Sequence, residues 1–231
     1  GGRGRPGRWC SVIFMDRRDA GRQLADALMS RSLEDATILG LARGGVVVAR
    51  EVARALNHPL DVVVVRKIGA PGNEEFAIGA VGEDGAATLD ATTIAALTIP
   101  ASYVRDAIER AREVIRRRAA LYRRDGPPDL RGRTAVLVDD GIATGHTMDA
   151  AIETVRRWGA ARVVVAVPVG ARDTVERLRG VVDDVVVLSE PAHFMAVGQF
   201  YESFPQVSDD DVQDTLGAPA GTAREAGAQT T

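Results

Sequence analysis

The chain has 231 residues, 45% hydrophobic and 26% charged, the balance of an ordinary soluble globular domain with one sizeable core. A net charge of −3 gives no electrostatic reason to expect nucleic acid or an acidic membrane as partner, and no apolar run reaches the ~20 residues needed to span a bilayer. The single cysteine, Cys10, excludes an internal disulfide and suits a reducing cytoplasm.

The opening GGRGRPGRWC is Gly/Arg-rich and polar, carries no secretory pattern, and is expected to be a flexible segment over residues 1–10. Hydrophobic and helical periods alternate from Ser11, so one domain is expected over residues 11–212. Asp16-Arg17-Arg18-Asp19 reads as a solvated helix start. TILGLA (Thr37–Ala42) reads as a buried strand, and RGGVVVAREVARAL as a Gly turn opening a helix. PLDVVVVRK (Pro59–Lys67) reads as a second continuous strand. A Gly-rich stretch over residues 68–85 follows, with a short strand near Phe76–Val81. Tyr103–Tyr122 is a long amphipathic helix with a solvated Arg face, ended by Gly126-Pro127-Pro128. TAVLVDD is a third strand, Thr144–Trp158 the next helix, and ARVVVAVPV and VDDVVVL two more strands around a helix near Thr174–Arg179. Residues 213–231, small and polar, are expected to form a disordered tail.

Strands that are continuous Val runs separated by helices imply an α/β fold, a mostly parallel central sheet with helices on both faces. Ligands of such open sheets bind at the carboxyl ends of the strands. Arg43-Gly44-Gly45, Arg66-Lys67 and Asp139-Asp140 all fall at such ends, and one crevice is expected to gather them.

The stretch VLVDDGIATGHT (Val136–Thr147) joins two acids to a Gly/Thr loop that opens a helix. Helix-terminal N–H groups bind phosphate, and Thr144 and Thr147 add hydroxyl donors. The plain alternative is an acid that caps the helix and glycines that turn the chain. A ligand with hydroxyls beside its phosphate would use both halves, and a ribose 5-phosphate has that shape. No Gly-Lys-Ser/Thr follows, as a Walker loop requires, and GLARGG lacks the dinucleotide-binding spacing.

This stretch resembles the 5-phosphoribosyl-1-pyrophosphate (PRPP) motif of type I phosphoribosyltransferases: a hydrophobic strand, two acids and a loop ending Thr-Gly-x-Thr. The resemblance implies the type I fold with a small C-terminal hood, Mg²⁺-PRPP as donor, Mg²⁺ near Asp139 and Asp140, a homodimer, and transfer to a nitrogenous acceptor. PRPP would be held by Asp139, Asp140, Gly141, Ala143, Thr144, Gly145, His146 and Thr147. Arg43, Gly44 and Gly45 would form the pyrophosphate loop, and Arg66 and Lys67 would meet the pyrophosphate as cations. Lys67 is the only lysine among 29 basic residues. An ammonium is a compact point charge unlike a guanidinium fork, which favours a specific role there.

The loop details are similar to adenine phosphoribosyltransferases, whose Asp-Asp, two apolar residues and Ala-Thr-Gly-Gly-Thr-Met match Asp139-Asp140-Gly141-Ile142-Ala143-Thr144-Gly145-His146-Thr147-Met148. His146 departs from the usual Gly. Ala143 stands where hypoxanthine-guanine enzymes carry an Asp, which argues against 6-oxopurine chemistry of that type. An ungapped count from Arg66-Lys67 puts the family's loop Glu on Glu83, an acid/base candidate whose alternative is a solvated turn acid. The 68–85 stretch would then be a lid. Phe194, Phe200, Tyr201 and Phe204 would supply the hood, or else close the core edge or a dimer contact. A regulator that binds PRPP without transfer, and a PRPP hydrolase, use the same motif; acceptor-dependent pyrophosphate release separates them.

Overall fold

The computed structural model describes residues 13–123 and 125–217, so the segment expected over residues 1–10 and the tail beyond 217 lie outside the described residues. In chain order the elements are α1 (Arg17–Leu28), β1 (Ala36–Leu41), α2 (Gly44–Leu56), β2 (Leu60–Val63), β3 (Arg66–Ala70), β4 (Asn73–Val81), β5 (Ala87–Leu89), α3 (Ala91–Ala96), α4 (Ala101–Tyr122), β6 (Thr134–Val138), α5 (His146–Arg157), β7 (Arg162–Val169), α6 (Arg172–Arg179), β8 (Asp184–Ser189), a 3₁₀ turn (Val197–Phe200) and α7 (Asp209–Gly217).

Five strands form a parallel sheet in the order β2-β1-β6-β7-β8, as the Val runs predict. Each strand is apolar at nearly every position because both faces are covered. Ile38, Val136, Val138 and Val164 pack with α1 and α2 on one face. Leu39, Leu137, Val165 and Ala135 pack with α5 on the other. From β1 the chain crosses through α2 to β2 on one side, whereas β6 continues through α5 to β7 on the other. The strand order therefore reverses between β1 and β6, and such a switch point opens a crevice at the strands' carboxyl ends. Gly40 of β1 lies beside Val138 of β6, so Arg43-Gly44-Gly45 and Asp139-Asp140 emerge side by side.

Two expectations need correction. The strand expected through Pro59–Lys67 stops at Val63; Arg66 and Lys67 open β3 instead. β3 belongs to a second, antiparallel sheet, β3-β4-β5, that an apolar run with no internal polar break does not announce. The stretch over residues 68–85 is accordingly a β3–β4 hairpin and the turn after it, and the short strand expected near Phe76–Val81 is part of β4, which begins at Asn73. Finally, residues 213–217 are the second half of α7, whose Val212 is fully buried against a core shared with α4 and Val46 of α2. Tyr122 donates to Asp209 at 2.5 Å, which anchors the start of that helix.

The aromatics expected to supply a hood or to close the core edge form a buried cluster with Phe14 from the start of the domain. Phe14 N–H donates to the Phe200 carbonyl at 2.8 Å, and Glu202 N–H returns to the Phe14 carbonyl at 2.9 Å. Phe14, Tyr201, Phe200, Phe194 and Phe204 then share one aromatic cluster, with ring centroids 4.8–5.4 Å apart.

Candidate active site

Asp139 and Asp140 leave β6 partly buried. Asp139 Oδ1 accepts the Asp140 N–H at 2.9 Å. Burial, then the charge of Asp140 beside it, pushes the Asp139 carboxyl well above the ordinary aspartate range. Burial also raises the Asp140 carboxyl, against the opposing pull of Arg17. The Arg17 Nε donates to Asp140 Oδ2 at 2.7 Å, and Tyr201 donates its hydroxyl to the Asp140 carbonyl at 2.6 Å.

Asp16-Arg17-Arg18-Asp19 does start a helix, with the Asp16 carboxylate accepting Asp19 N–H at 2.8 Å, but Arg17 is not solvated. It is buried at the acidic pair. A contact across 123 positions of sequence has no local signal, and DRRD reads the same whether its arginines face water or the core.

The 43–45 loop presses directly on the acids. A β-carbon at Gly44 would lie 2.0 Å from Asp140 Oδ2; one at Gly45 would lie 2.6 Å from the Val138 carbonyl and 2.9 Å from Asp139 Oδ1. All of these distances are closer than a side chain permits, so glycine is a requirement of close approach here. The Ala42–Arg43 peptide bond is cis.

The 141–147 loop is held from β7 and α6. Ile142 pairs with the strand end through Ile142 N–H to the Val169 carbonyl (2.9 Å) and Ala171 N–H to the Ile142 carbonyl (2.8 Å). The Thr174 hydroxyl donates to the Ala143 carbonyl at 2.7 Å, and Arg177 makes a two-pronged pair with Asp149 at 2.8 and 3.0 Å. Gly145, the residue before α5, has φ +85°, the left-handed region that glycine enters without a β-carbon penalty. Thr144 is exposed, and His146 and Thr147 open α5, where the first N–H groups have no acceptor within the helix.

Arg66 and Lys67 are exposed on β3 and line an open cavity of 730 Å³ together with Thr147 of α5 and Tyr103 and Arg110 of α4. That volume falls within the range of small-molecule sites. Arg110 is exposed, as the reading of a solvated α4 Arg face expects, whereas Arg118 departs from it: its side chain is 17% exposed and pairs with Asp209 at 3.2 Å.

Glu83 is placed differently from either sequence expectation. It is neither a solvated turn acid nor beside the acidic pair: it pairs with Arg123 and accepts Val64 N–H at 2.9 Å. Arg123 also meets Asp61 at 3.2 Å and lies 5.4 Å from the Trp158 ring. Burial raises the Glu83 carboxyl more than Arg123 lowers it. Its partners are Val64, just after β2, and Arg123, just after α4.

Residues 17–201 match the family described as phosphoribosyl transferase domain. The chain is 49% identical over 219 residues to a Mycobacterium tuberculosis (strain H37Rv) protein provisionally named a phosphoribosyl transferase, covering 94% of this chain and 49% of that protein. The chain therefore spans about half the length of the curated relatives it matches. A further relative, ribose-phosphate pyrophosphokinase of Pyrococcus furiosus, is 43% identical over 61 residues, 26% of this chain and 22% of that protein. Among solved structures, the protein TT1426 from Thermus thermophilus is 52% identical with a TM-score of 0.73, covering 88% of this chain and 97% of that one. The chain belongs to the phosphoribosyl transferase domain family.

Proposed function

We propose that this domain transfers the 5-phosphoribosyl group of PRPP to a nitrogenous, base-like acceptor and releases pyrophosphate. The observation that carries the reading is the convergence at the β1/β6 switch point, where Gly44 and Gly45 lie against Asp140 and Asp139 and the Gly145 loop opens α5 alongside. An anion site for the 5-phosphate, two carboxylates for ribose hydroxyls and a glycine loop for a second anion are the three parts that PRPP needs.

In this reading Thr144, Gly145, His146 and Thr147 hold the 5-phosphate with Gly141 and Ala143 shaping their loop, while Asp139 and Asp140 accept ribose O–H groups. Arg43, Gly44, Gly45, Arg66 and Lys67 meet the pyrophosphate. The acceptor nitrogen forms a bond to ribose C1 as the C1–O bond breaks, and pyrophosphate departs with the electron pair. The fixed donors and cations stabilise the charge that leaves, and oriented binding brings the nitrogen to C1. Mg²⁺ suits the donor set, because it binds oxygen ligands through one or two carboxylates plus substrate phosphates. Asp139 and Asp140 are the residues that would hold it, and it would neutralise phosphate charge. A homodimer accompanies the reading as a family expectation, and a cytoplasmic location as the one that the single cysteine suits; among the described residues no helix is long and apolar enough to cross a membrane.

Calorimetric titration of Mg²⁺-PRPP into the protein and into the Asp139→Asn/Asp140→Asn double variant tests the site. Binding that the variant loses, followed by pyrophosphate release only when a base is added, supports transfer. Binding without acceptor-dependent release would make the domain a PRPP-binding regulator, and release without any acceptor a hydrolase.

A further inference from the structure

Arg17 stands where four parts of the chain meet, and the inference drawn from it rests on the reading above. Its Nε donates to Asp140 Oδ2 and its Nη1 to the Pro205 carbonyl, each at 2.7 Å, while the guanidinium carbon lies 3.7 Å from the centre of the Phe204 ring. The side chains of Arg17 and Asp140 are 9% and 14% exposed. Phe204 packs on Tyr201 at 4.8 Å, and Tyr201 holds the Asp140 carbonyl. A β-carbon at Gly44 would come within 3.1 Å of Arg17 Nε, so the 43–45 loop packs against the guanidinium as well.

Both the carboxylate and the carbonyl of Asp140 are therefore held by residues distant in sequence, one from α1 and one from the C-terminal segment. A surface ion pair would not need a stacked aromatic, a second acceptor and burial together. A planar guanidinium satisfies all three at once, because its donors lie at fixed angles in the plane and its face is free to stack. A lysine supplies only the charge.

We propose that Arg17 is a positioning residue for PRPP: it fixes the orientation of the Asp140 carboxylate at the ribose and, through Phe204 and Pro205, makes the seating of the C-terminal segment part of the donor site. The free chain then presents its ribose acceptor already oriented, and a displaced C-terminal segment weakens donor binding without touching the phosphate loop. Arg17 thereby couples the hood to the donor site.

The test is calorimetry of Mg²⁺-PRPP and, separately, of inorganic phosphate on wild type, Arg17→Met and Arg17→Lys, each checked by thermal melting. Arg17→Met is expected to lose PRPP affinity by about tenfold or more, the scale of one charge-assisted contact, with phosphate affinity unchanged. Arg17→Lys is expected to recover part of the loss. A folded Arg17→Met that binds PRPP as wild type does, or that loses PRPP and phosphate affinity in parallel, overturns the proposal. If Arg17→Met does not fold, Arg17→Lys decides by the same comparison: selective loss of PRPP affinity supports positioning, and wild-type affinity overturns it. Wild type that binds neither probe removes the PRPP reading itself, an outcome distinct from any difference between the variants.

Discussion

Gly44 and Asp140 are packed so closely that a β-carbon on the first would stand 2.0 Å from a carboxylate oxygen of the second. The loop after β1 and the acid pair after β6 are thus packed against each other with no room for a side chain between them. Gly44→Ala is expected to destabilise the fold by about 1–3 kcal/mol, the usual result of overpacking a filled site. It should also weaken PRPP binding. Thermal melting and calorimetry on the same samples check both, and a variant with normal melting and normal affinity would show that the two loops separate easily.

Gly145→Ala meets two obstacles. The residue has φ +85°, and a β-carbon there would lie 2.6 Å from Arg177 Nη2 and 2.7 Å from Thr174 Cγ2. The left-handed backbone alone costs about 1–2 kcal/mol for a residue with a β-carbon. Phosphate affinity should fall with stability, since the same residue aims the start of α5. The double variant with Arg177→Ala would relieve one of the two close contacts but leave Thr174 Cγ2 and the conformation, so at most part of the melting temperature should return.

Asp139 gives a pH dependence with a definite sign. Its folded carboxyl is raised well above the ordinary 3.8 by burial and by Asp140. Between that ordinary value and the raised one, the folded state binds more protons than the unfolded state, so this group's contribution to stability falls as pH rises through the window. Asp139→Asn keeps an oxygen to accept the Asp140 N–H and removes the charge. It should melt higher than wild type at neutral pH, with the gap closing as pH falls towards 3.8, while PRPP binding drops. Equal melting temperatures across the range would mean that Asp139 is better solvated than its setting implies.

Arg123 and Glu83 are each 8% exposed, so Arg123→Met strands the buried Glu83 carboxylate and takes the partner from Asp61, whose side chain is 23% exposed. A loss of about 3–5 kcal/mol is expected, because an uncompensated buried charge remains. Glu83→Gln should be milder, since it keeps an acceptor for Val64 N–H. Turnover per folded molecule should persist in Glu83→Gln. A collapse of turnover at unchanged stability would return Glu83 to an acid/base role.

What the sequence determined by itself was whatever depends on local chemistry. A strand apolar at nearly every position must be covered on both faces, so the Val runs at β6 and β7 and the apolar run at β1 required a parallel sheet with helices on each side. The order of residues in VLVDDGIATGHT likewise placed two acids and an anion loop at a strand end. The tertiary structure decided everything that couples distant positions. It turned Arg66 and Lys67 into a second sheet, because hydrogen-bond partners on β4, rather than apolar character, decide which sheet a strand joins. It buried Glu83 against Arg123, and it brought Arg17 across 123 residues to Asp140. A charged side chain looks the same in sequence whether it meets water or an opposite charge; only the packing that excludes water makes the second outcome necessary.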